Sequence, residues 1–523
     1  MNLKMYTMLH RINSLRNEDS FLGKNMTERP TIKETYGMYI NGSWVKSQSG
    51  ETFESINPAN KTALANIQSG NAADVEVAVA AANAAKESWA NTSPTVRSNI
   101  LLKIAQRIED NLPRLAAIET MDNGKPIRET VNADFPLVVD MARYMGACIR
   151  AHEDTHSVIN TEDGADLHSY NFSEPLGVVA AVVPWNFPSL MAMWKVAPAL
   201  VTGNTIVIKL AETTSISFLE IVSLIEDLLP PGVLNVITGF GTEAGAPLFN
   251  HQDIDKLAFT GSTAVGQSVA EAAAKNLKPV TLELGGKSPV LVFPDATANM
   301  PKLIDNLAMA AWLNQSHICT CGSRHLIHED VFDEVVGALV ERAQSIVVGD
   351  PMSDETMLGA INSKAQYDKI LGYLEYAKNS SDIKILTGGN AILTDKGYFI
   401  EPTIVVASND SKLAQQEIFG PILVVIKFKD EADAIRIAND TDYGLGAGLF
   451  TNDALIMRRV TKQINAGRIW VNNYHNYPAH APFGGYKQSG IGRETHKMMF
   501  GAYTQNKNLL VDYSDMPSGF YPG

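Results

Sequence analysis

Four short runs with almost no polar interruption constrain this chain more than any other feature: Gly177-Val-Val-Ala-Ala-Val-Val183, Thr205-Ile-Val-Ile-Lys209, Val233 to Ile237, and Lys256 to Phe259. Runs so short and so apolar read as strands buried on both faces, because a strand with one wet face would alternate apolar and polar residues. Helical segments separate them, which predicts parallel pairing, since consecutive parallel strands need a long crossover. From Gly37 onward the chain alternates strands and helices with no internal repeat, so the expected fold class is α/β. Pro-Pro-Gly at 230–232 and Gly239-Phe-Gly241 mark loops at strand ends, where open α/β sheets place their ligands. Asn71-Ala-Ala-Asp74 precedes Val75, Val79 and Ala82 at helical spacing, which makes Asp74 the candidate N-cap of an amphipathic helix.

Composition removes several classes. With 523 residues, 45% hydrophobic and 19% charged, the chain is long enough for more than one domain and ordinary for a globular protein. A formal charge of -14 and the lack of any Lys/Arg-rich run argue against nucleic acid as a partner, which would need a basic stripe. Only three cysteines, Cys148, Cys319 and Cys321, are present, which fits a reducing compartment and a cytoplasmic location rather than a disulfide framework. The longest apolar stretches, such as Leu176 to Trp185, fall far below the ~18 residues of a membrane span. Residues 1 to about 30 mix Lys4, Arg11, Arg16 and Lys24 with Glu18 and Asp19 and have no long apolar core. They are expected to be a disordered tail, such as an upstream start codon preceding a natural start at Met26 would add, with a weak transit peptide as the alternative.

The chemistry concentrates at two places. Cys319 lies in Asn314-Gln-Ser-His-Ile-Cys-Thr-Cys-Gly-Ser-Arg324, and Glu283 opens Glu-Leu-Gly-Gly-Lys287 upstream. A thiol attacks carbonyl carbon well, and the resulting thioester needs an activated water to release it, so the pair supplies a nucleophile and a base. Phe259-Thr-Gly261-Ser262-Thr-Ala-Val-Gly266 is a degenerate dinucleotide fingerprint: a strand comes before it, and a helix from Gln267 would offer free N–H groups to a pyrophosphate. Packing alone would account for its glycines equally well. Asn186, in Val183-Pro-Trp185-Asn-Phe-Pro188, sits where a strand gives way to a helix; its amide either donates to a developing oxyanion or caps that helix. His317, Cys319, Cys321, His325 and His328 could be mistaken for a zinc site, but gaps of one residue are tight for a single tetrahedral metal. Arg324 to His328 reads as a strand whose alternate side chains point to opposite faces.

Seven motifs in order resemble the aldehyde dehydrogenase superfamily: Pro184-Trp-Asn-Phe-Pro188, Lys209-Leu-Ala-Glu212, Phe259-Thr-Gly-Ser262, Glu283 to Lys287, the cysteine loop, Glu417-Ile-Phe-Gly-Pro421, and Pro482-Phe-Gly-Gly-Tyr-Lys487 with Ser489-Gly-Ile-Gly-Arg493. The resemblance implies Cys319 as nucleophile, Glu283 as general base, and Asn186 with the Cys319 backbone N–H as oxyanion hole. It implies NAD as cofactor, with Lys209 and Glu212 holding the adenosine ribose, Gly261 and Ser262 near the pyrophosphate, and Glu417 and Phe419 placing the nicotinamide end. Trp185, Gly241, Phe259, Gly266 and Leu284 complete the implied cofactor set. Glu212 would repel a 2′-phosphate, so NADP is less favoured.

The same resemblance implies a Rossmann-like cofactor domain over 31–153 and 174–285, a catalytic domain over 286–490, and oligomerisation strands at 154–173 and 498–515. A homo-oligomer, dimer or tetramer, follows, because the exposed edge of the strand Tyr503 to Tyr513 invites a neighbour. Trp470 to His480 and the Cys319-Thr-Cys321 pair look like the branch acting on short aliphatic aldehydes; Tyr474 and Tyr477 either line its mouth or pack in the core. The alternatives are a catalytically silent relative and a CoA-acylating enzyme, which would not need Glu283. Two positions depart from the family pattern: Leu210, where proline is usual, and Ser316, where glycine is usual. Serine tolerates poorly the backbone angles that glycine takes freely.

Overall fold

The computed structural model describes residues 29–521 other than 163 and 518. The expected N-terminal tail, up to residue 28, lies outside the described residues. Among those described, no helix is long and apolar enough to cross a membrane.

The four apolar runs form strands Val178–Val182, Thr205–Lys209, Leu234–Ile237 and Lys256–Thr260. Val280–Glu283 joins them, and all five pair in parallel. The full sheet has eight strands, in the order Gly490–Ile491, Val280–Glu283, Lys256–Thr260, Val178–Val182, Thr205–Lys209, Leu234–Ile237, Met38–Ile40, Ser43–Val45. Alternate residues feed two cores. Val178, Ala180 and Val207 pack with the helices Ala72–Ala90 and Thr263–Lys275. Val179, Ala181, Ile206 and Ile208 pack with Pro94–Asp110, Phe135–Cys148 and Pro188–Val201. Both faces are dry, which is why these strands carry no polar alternation.

The chain runs from Val178–Val182 outward to Leu234–Ile237, then crosses back to lay Lys256–Thr260 on the other side of its starting strand. Strand order reverses there, so the loops leaving the two adjacent strands diverge and open a crevice at their carboxyl ends. A second sheet of seven strands runs Lys384–Thr387, Thr403–Val406, Ile422–Phe428, Arg324–His328, Pro289–Val292, Gly446–Phe450, Arg468–Val471. Only Lys384–Thr387 is antiparallel to its neighbour in it.

Thr155–Asn160 and Asp166–Pro175 form an antiparallel hairpin, and Thr504–Asp512 pairs with the hairpin's second strand from Thr504 opposite Pro175 to Asp512 opposite Leu167. One edge of the C-terminal strand is therefore taken by this chain itself.

One cap differs from expectation. The helix Ala72–Ala90 is capped by Asn71, not Asp74: the Asn71 side chain accepts from Ala73 N and Asp74 N, and Asp74 at the third helical position accepts from Asn71 N. The two residues form a reciprocal capping box, in which either polar side chain looks like the cap from sequence alone.

Candidate active site

The crevice opens into a cavity of about 200 Å³ where the two large sheets meet. The first sheet contributes Trp185, Asn186, Gly261, Ser262, Glu283 and Leu284; the second contributes Cys319, just ahead of Arg324–His328, and Glu417 and Phe419, just ahead of Ile422–Phe428. Lys209, Glu212, Gly241, Phe259 and Gly266 do not line this cavity. Lys209 ends its strand on the same carboxyl edge, its Nζ donating to Glu212 Oε2 at 3.1 Å. Gly241 follows the next strand out. A Cβ on Gly266 would lie 2.3 Å from Leu284 Cδ2, so any side chain there would force Leu284 to move, whatever else this glycine does. Ser262 caps the helix Thr263–Lys275, whose first turn therefore faces the crevice.

Asn186 does not cap the helix that follows it. That helix begins at Pro188 with no side-chain cap, and Asn186 Nδ2 instead donates to the carbonyl of His317 at 2.7 Å. A primary amide has two hydrogens, and this bond uses one. The Asn186 carbonyl is fixed in turn by Lys125 Nζ and Asn314 Nδ2, both at 2.8 Å. Lys125 is fully buried and also donates to Asp134.

The loop that leads to Cys319 is held against its own preference. Asn314, Gln315 and Ser316 have φ of +51°, +52° and +62°, three consecutive residues in the left-handed region. Side chains other than glycine lose about 1–2 kcal/mol there, so outside contacts must hold the turn. Glu129 Oε2 accepts from Asn314 N, Gln315 Oε1 accepts from Gly359 N, and Ser316 Oγ donates to Ala311 O at 2.5 Å. Ser316 thus adopts the glycine-like angle but gains a hydrogen bond that glycine could not make.

Beyond the loop, Trp185, His317 and Phe419 meet ring to ring, with centroids 4.8–5.8 Å apart. Burial pushes His317 down to about 3, so its imidazole is neutral and not a charged partner for the thiol. Cys319 itself is pushed well above the ordinary thiol range by burial, and then by Glu283 and Glu417. The resting sulfur therefore carries its proton. Burial raises Glu283 to about 8, with Lys195 and Arg493 pulling weakly the other way. Neither of its carboxyl oxygens has a hydrogen-bond partner among the described residues. A carboxyl left dry and unpaired in a cleft is a group poised to exchange protons near neutral pH.

Two polar residues here, Lys195 and Glu494, escaped the sequence reading. Lys195 donates to Glu494 in a fully buried ion pair close enough to Glu283 to perturb it, and Glu494 lines the cavity. Lys195 interrupts the otherwise apolar helix Pro188–Val201, and a lone lysine in such a helix is the signal of a buried partner. Tyr477 lines the cavity, whereas Tyr474 is fully buried behind it, so the two alternatives left open for this pair divide between them. Gly285 is explained by Glu417, whose carboxylate Oε2 would lie 2.6 Å from a Cβ there, while Glu417 Oε1 accepts from Gly286 N at 3.0 Å.

Residues 44–509 match the model of the aldehyde dehydrogenase family. The chain is 48% identical to an acetaldehyde dehydrogenase of Pseudomonas aeruginosa over 498 residues, covering 94% of this chain and 97% of that one. It is 48% identical over 494 residues, with the same coverage, to a long-chain-aldehyde dehydrogenase of an Acinetobacter species. The fold superposes on the NAD+ complex of the Bacillus cereus aldehyde dehydrogenase with a TM-score of 0.89 at 38% identity, over 92% of this chain and 98% of that one. Fold, ordered motifs and the meeting of thiol, carboxyl and amide in one cavity agree with these matches: the chain belongs to the aldehyde dehydrogenase family.

Proposed function

We propose that this protein oxidises short aliphatic aldehydes to carboxylic acids with NAD, through a covalent adduct on Cys319. The observation that carries the proposal is that Cys319, Glu283, Asn186 and Glu417 line one cavity at the carboxyl ends of a doubly wound sheet. Cys319 gives up its proton to solvent water, and its sulfur bonds to the aldehyde carbon as the carbonyl π pair moves onto oxygen. The negative charge that develops on oxygen falls to the second hydrogen of Asn186 Nδ2 and the Cys319 backbone N–H. NAD, when bound, accepts the hydride that leaves the adduct as a thioester. Glu283 then takes a proton from water, which attacks the thioester carbon and expels the thiolate.

The cofactor tract supports NAD on this chain's own residues. The helix Thr263–Lys275 presents its first turn beside Gly261, Lys209 and Glu212 stand two strands away to hold the ribose, and Glu417 and Phe419 close the inner end. The exposed Glu212 carboxylate favours NAD over NADP. The aldehyde side is walled by Leu137, Phe187, Leu190, Met191, Trp194 and Phe483; no arginine lines the cavity, and its lysine, Lys369, donates to the Glu417 carbonyl at 3.1 Å. An uncharged aliphatic substrate fits such walls; phosphorylated or dicarboxylate substrates do not. The apolar residues Val158, Leu509 and Leu510, each about half exposed on the three-stranded arm, support assembly of the chain with copies of itself.

The test is to mix protein, NAD and acetaldehyde without CoA. Sustained NADH formation is expected in the wild type and none in Cys319→Ala. Glu283→Gln should give a burst approaching one NADH per site and then stall. Dependence of the wild type on CoA would show acyl transfer instead of hydrolysis. Rates across aldehydes of increasing chain length should fall beyond short chains; a rise would assign the long-chain class.

A further inference from the structure

Phe419 stands on the cavity wall at φ +58°, a left-handed angle that phenylalanine does not choose freely. Its main chain is fastened by Gln366, whose Nε2 donates to the carbonyl of Phe419 at 2.6 Å and to that of Ile418 at 3.1 Å. Fixing the backbone does not fix the ring. Two other rings do that. Trp185 meets Phe419 with the planes at 88° and the centroids 5.3 Å apart, and His317 stacks on Phe419 with the planes at 23° and the centroids 5.8 Å apart. Trp185 and His317 close the triangle at 4.8 Å and 79°.

His317 differs from the other two members. Trp185 and Phe419 line the cavity, whereas His317 does not and is fully buried. Neither of its ring nitrogens has a hydrogen-bond partner among the described residues. A buried polar ring that makes no hydrogen bond calls for an explanation. Its backbone is well used: the carbonyl accepts from Asn186 Nδ2 at 2.7 Å, and the N–H donates to the Asn314 carbonyl at 2.7 Å. Any residue but proline could make those two bonds. Only a flat side chain can back the Phe419 ring face to face.

We propose that His317 is a positioning residue whose imidazole braces the Phe419 ring, so that the cofactor end of the cavity keeps its shape through a side chain that does not line it. This rests on the reading of Phe419 as part of the inner end of the NAD site. The brace serves the cofactor step alone. Thiol attack and thioester hydrolysis belong to Cys319, Glu283 and Asn186, and the imidazole makes no hydrogen bond to any of them.

The test compares His317→Ala, His317→Phe, Phe419→Ala and the double alanine variant with the wild type. NADH affinity is measured by fluorescence titration, hydride transfer by single-turnover NADH formation from acetaldehyde, and the thiol chemistry by hydrolysis of p-nitrophenyl acetate without cofactor. In that last reaction the Cys319 sulfur displaces p-nitrophenolate and water then releases acetate, so no hydride acceptor is needed. His317→Ala should lose up to about tenfold in NADH affinity and in single-turnover rate, the worth of one aromatic pair, while ester hydrolysis stays close to the wild-type rate. His317→Phe keeps a flat face and should match the wild type in all three measurements. Once Phe419 is alanine, removing the imidazole should cost nothing further, because a brace has no effect when the ring it braces is gone. Equal losses in the hydride and ester reactions of His317→Ala would overturn the proposal and assign the ring to the Cys319 loop. Additive losses in the double variant would overturn it too, as would a folded His317→Phe impaired as much as the alanine variant. If His317→Ala does not fold, His317→Leu, which fills the space without a flat face, takes its place with the same expectations. Failure of the underlying reading is distinguishable, because Phe419→Ala would then leave NADH affinity and hydride transfer unchanged.

Discussion

The carbonyl oxygen of Cys319 occupies the space a side chain on Gly286 would need, 2.2 Å from the position of its Cβ. The Cys319 loop and the loop that follows the strand Val280–Glu283 are thus pressed backbone to backbone, with Glu283 three residues upstream of the contact. Because the obstructing atom is main chain, it cannot swing aside as a side chain would.

Gly286→Ala should therefore push the Cys319 loop off its position. A shift near 1 Å in a reacting group can cost about a hundredfold in rate, and a loss of that order in kcat/KM is expected while the protein still binds NAD. Gly337→Ala is the control: nothing lies within 4 Å of a Cβ there, in the helix Phe332–Ser345. It should leave activity unchanged and add up to about 1 kcal/mol of stability. Steady-state kinetics and thermal unfolding of the two variants decide the matter; wild-type kcat/KM in Gly286→Ala would show that the loop yields freely.

Lys125 links stability to Asn186, the proposed oxyanion donor. Its Nζ lies 3.7 Å from Glu119, donates to Asp134 and to the Asn186 carbonyl, and sits 4.1 Å from the centre of the Phe187 ring. Lys125→Met would leave two buried carboxyls without their cation, a change that costs about 3–5 kcal/mol. Burial raises Asp134 to about 8 even beside Lys125, so the deficit should grow as pH climbs past that value and the carboxyl ionises. Urea unfolding at pH 7 and 9.5 measures both quantities. An equal deficit at the two pH values would remove the electrostatic explanation.

The strands were legible because burial on both faces writes itself into uninterrupted apolar runs such as Thr205–Lys209, and the site motifs were legible because each is local. What stayed hidden are contacts between distant segments. Lys195 meets Glu494 across 299 residues and Asn186 meets His317 across 131. No periodicity encodes such a meeting, although an isolated lysine in an apolar helix announces that one exists. The cap at Asn71 was misread for a local reason: in a capping box each polar side chain satisfies the other's backbone, so the residue types at the two positions are interchangeable. Tyr474 and Tyr477 looked equivalent in sequence, and only their packing separates a wall residue from a buried one.

Ser316 offers a test of the strained loop. Ser316→Ala keeps the φ of +62° and loses the hydrogen bond to Ala311, whereas Ser316→Gly loses the same bond but relieves the backbone. Where φ is positive, that relief exceeds the extra freedom glycine gains in the unfolded chain. The glycine variant should therefore be the more stable of the two, by about 1 kcal/mol. Thermal unfolding compares them directly, and an alanine variant equal or superior to glycine would mean that the loop relaxes once the serine is gone.

Glu283 should connect pH to activity and to stability with opposite signs. As a base it must lose its proton, so the deacylation rate should rise with pH and level off above its raised value of about 8. The rise should vanish in Glu283→Gln, and in a rapid-mixing trace it should belong to the steady phase rather than to the burst. For folding the sign reverses. A carboxyl that binds its proton more tightly when folded than when unfolded contributes stability below its ordinary range near 4.5, and loses it as pH climbs through about 8. Above that pH the folded protein must hold a dry, unpaired carboxylate, with both oxygens lacking partners among the described residues. Glu283→Gln carries no charge to bury, so it should be nearly neutral at pH 5 and more stable than the wild type at pH 9, by an amount on the order of a few kcal/mol at most. Nearby Lys195, itself lowered to about 7 by burial, blunts the effect at neutral pH but has lost its own charge by pH 9. Chemical denaturation across pH 5 to 9 should therefore show the two proteins' stabilities diverging between about pH 4.5 and 8, where the unfolded chain has lost the proton that the folded one keeps, and running parallel only above that. Parallel curves across the whole of pH 5 to 9, together with a deacylation rate indifferent to pH, would mean that Glu283 is ionised throughout and that its burial is relieved by water.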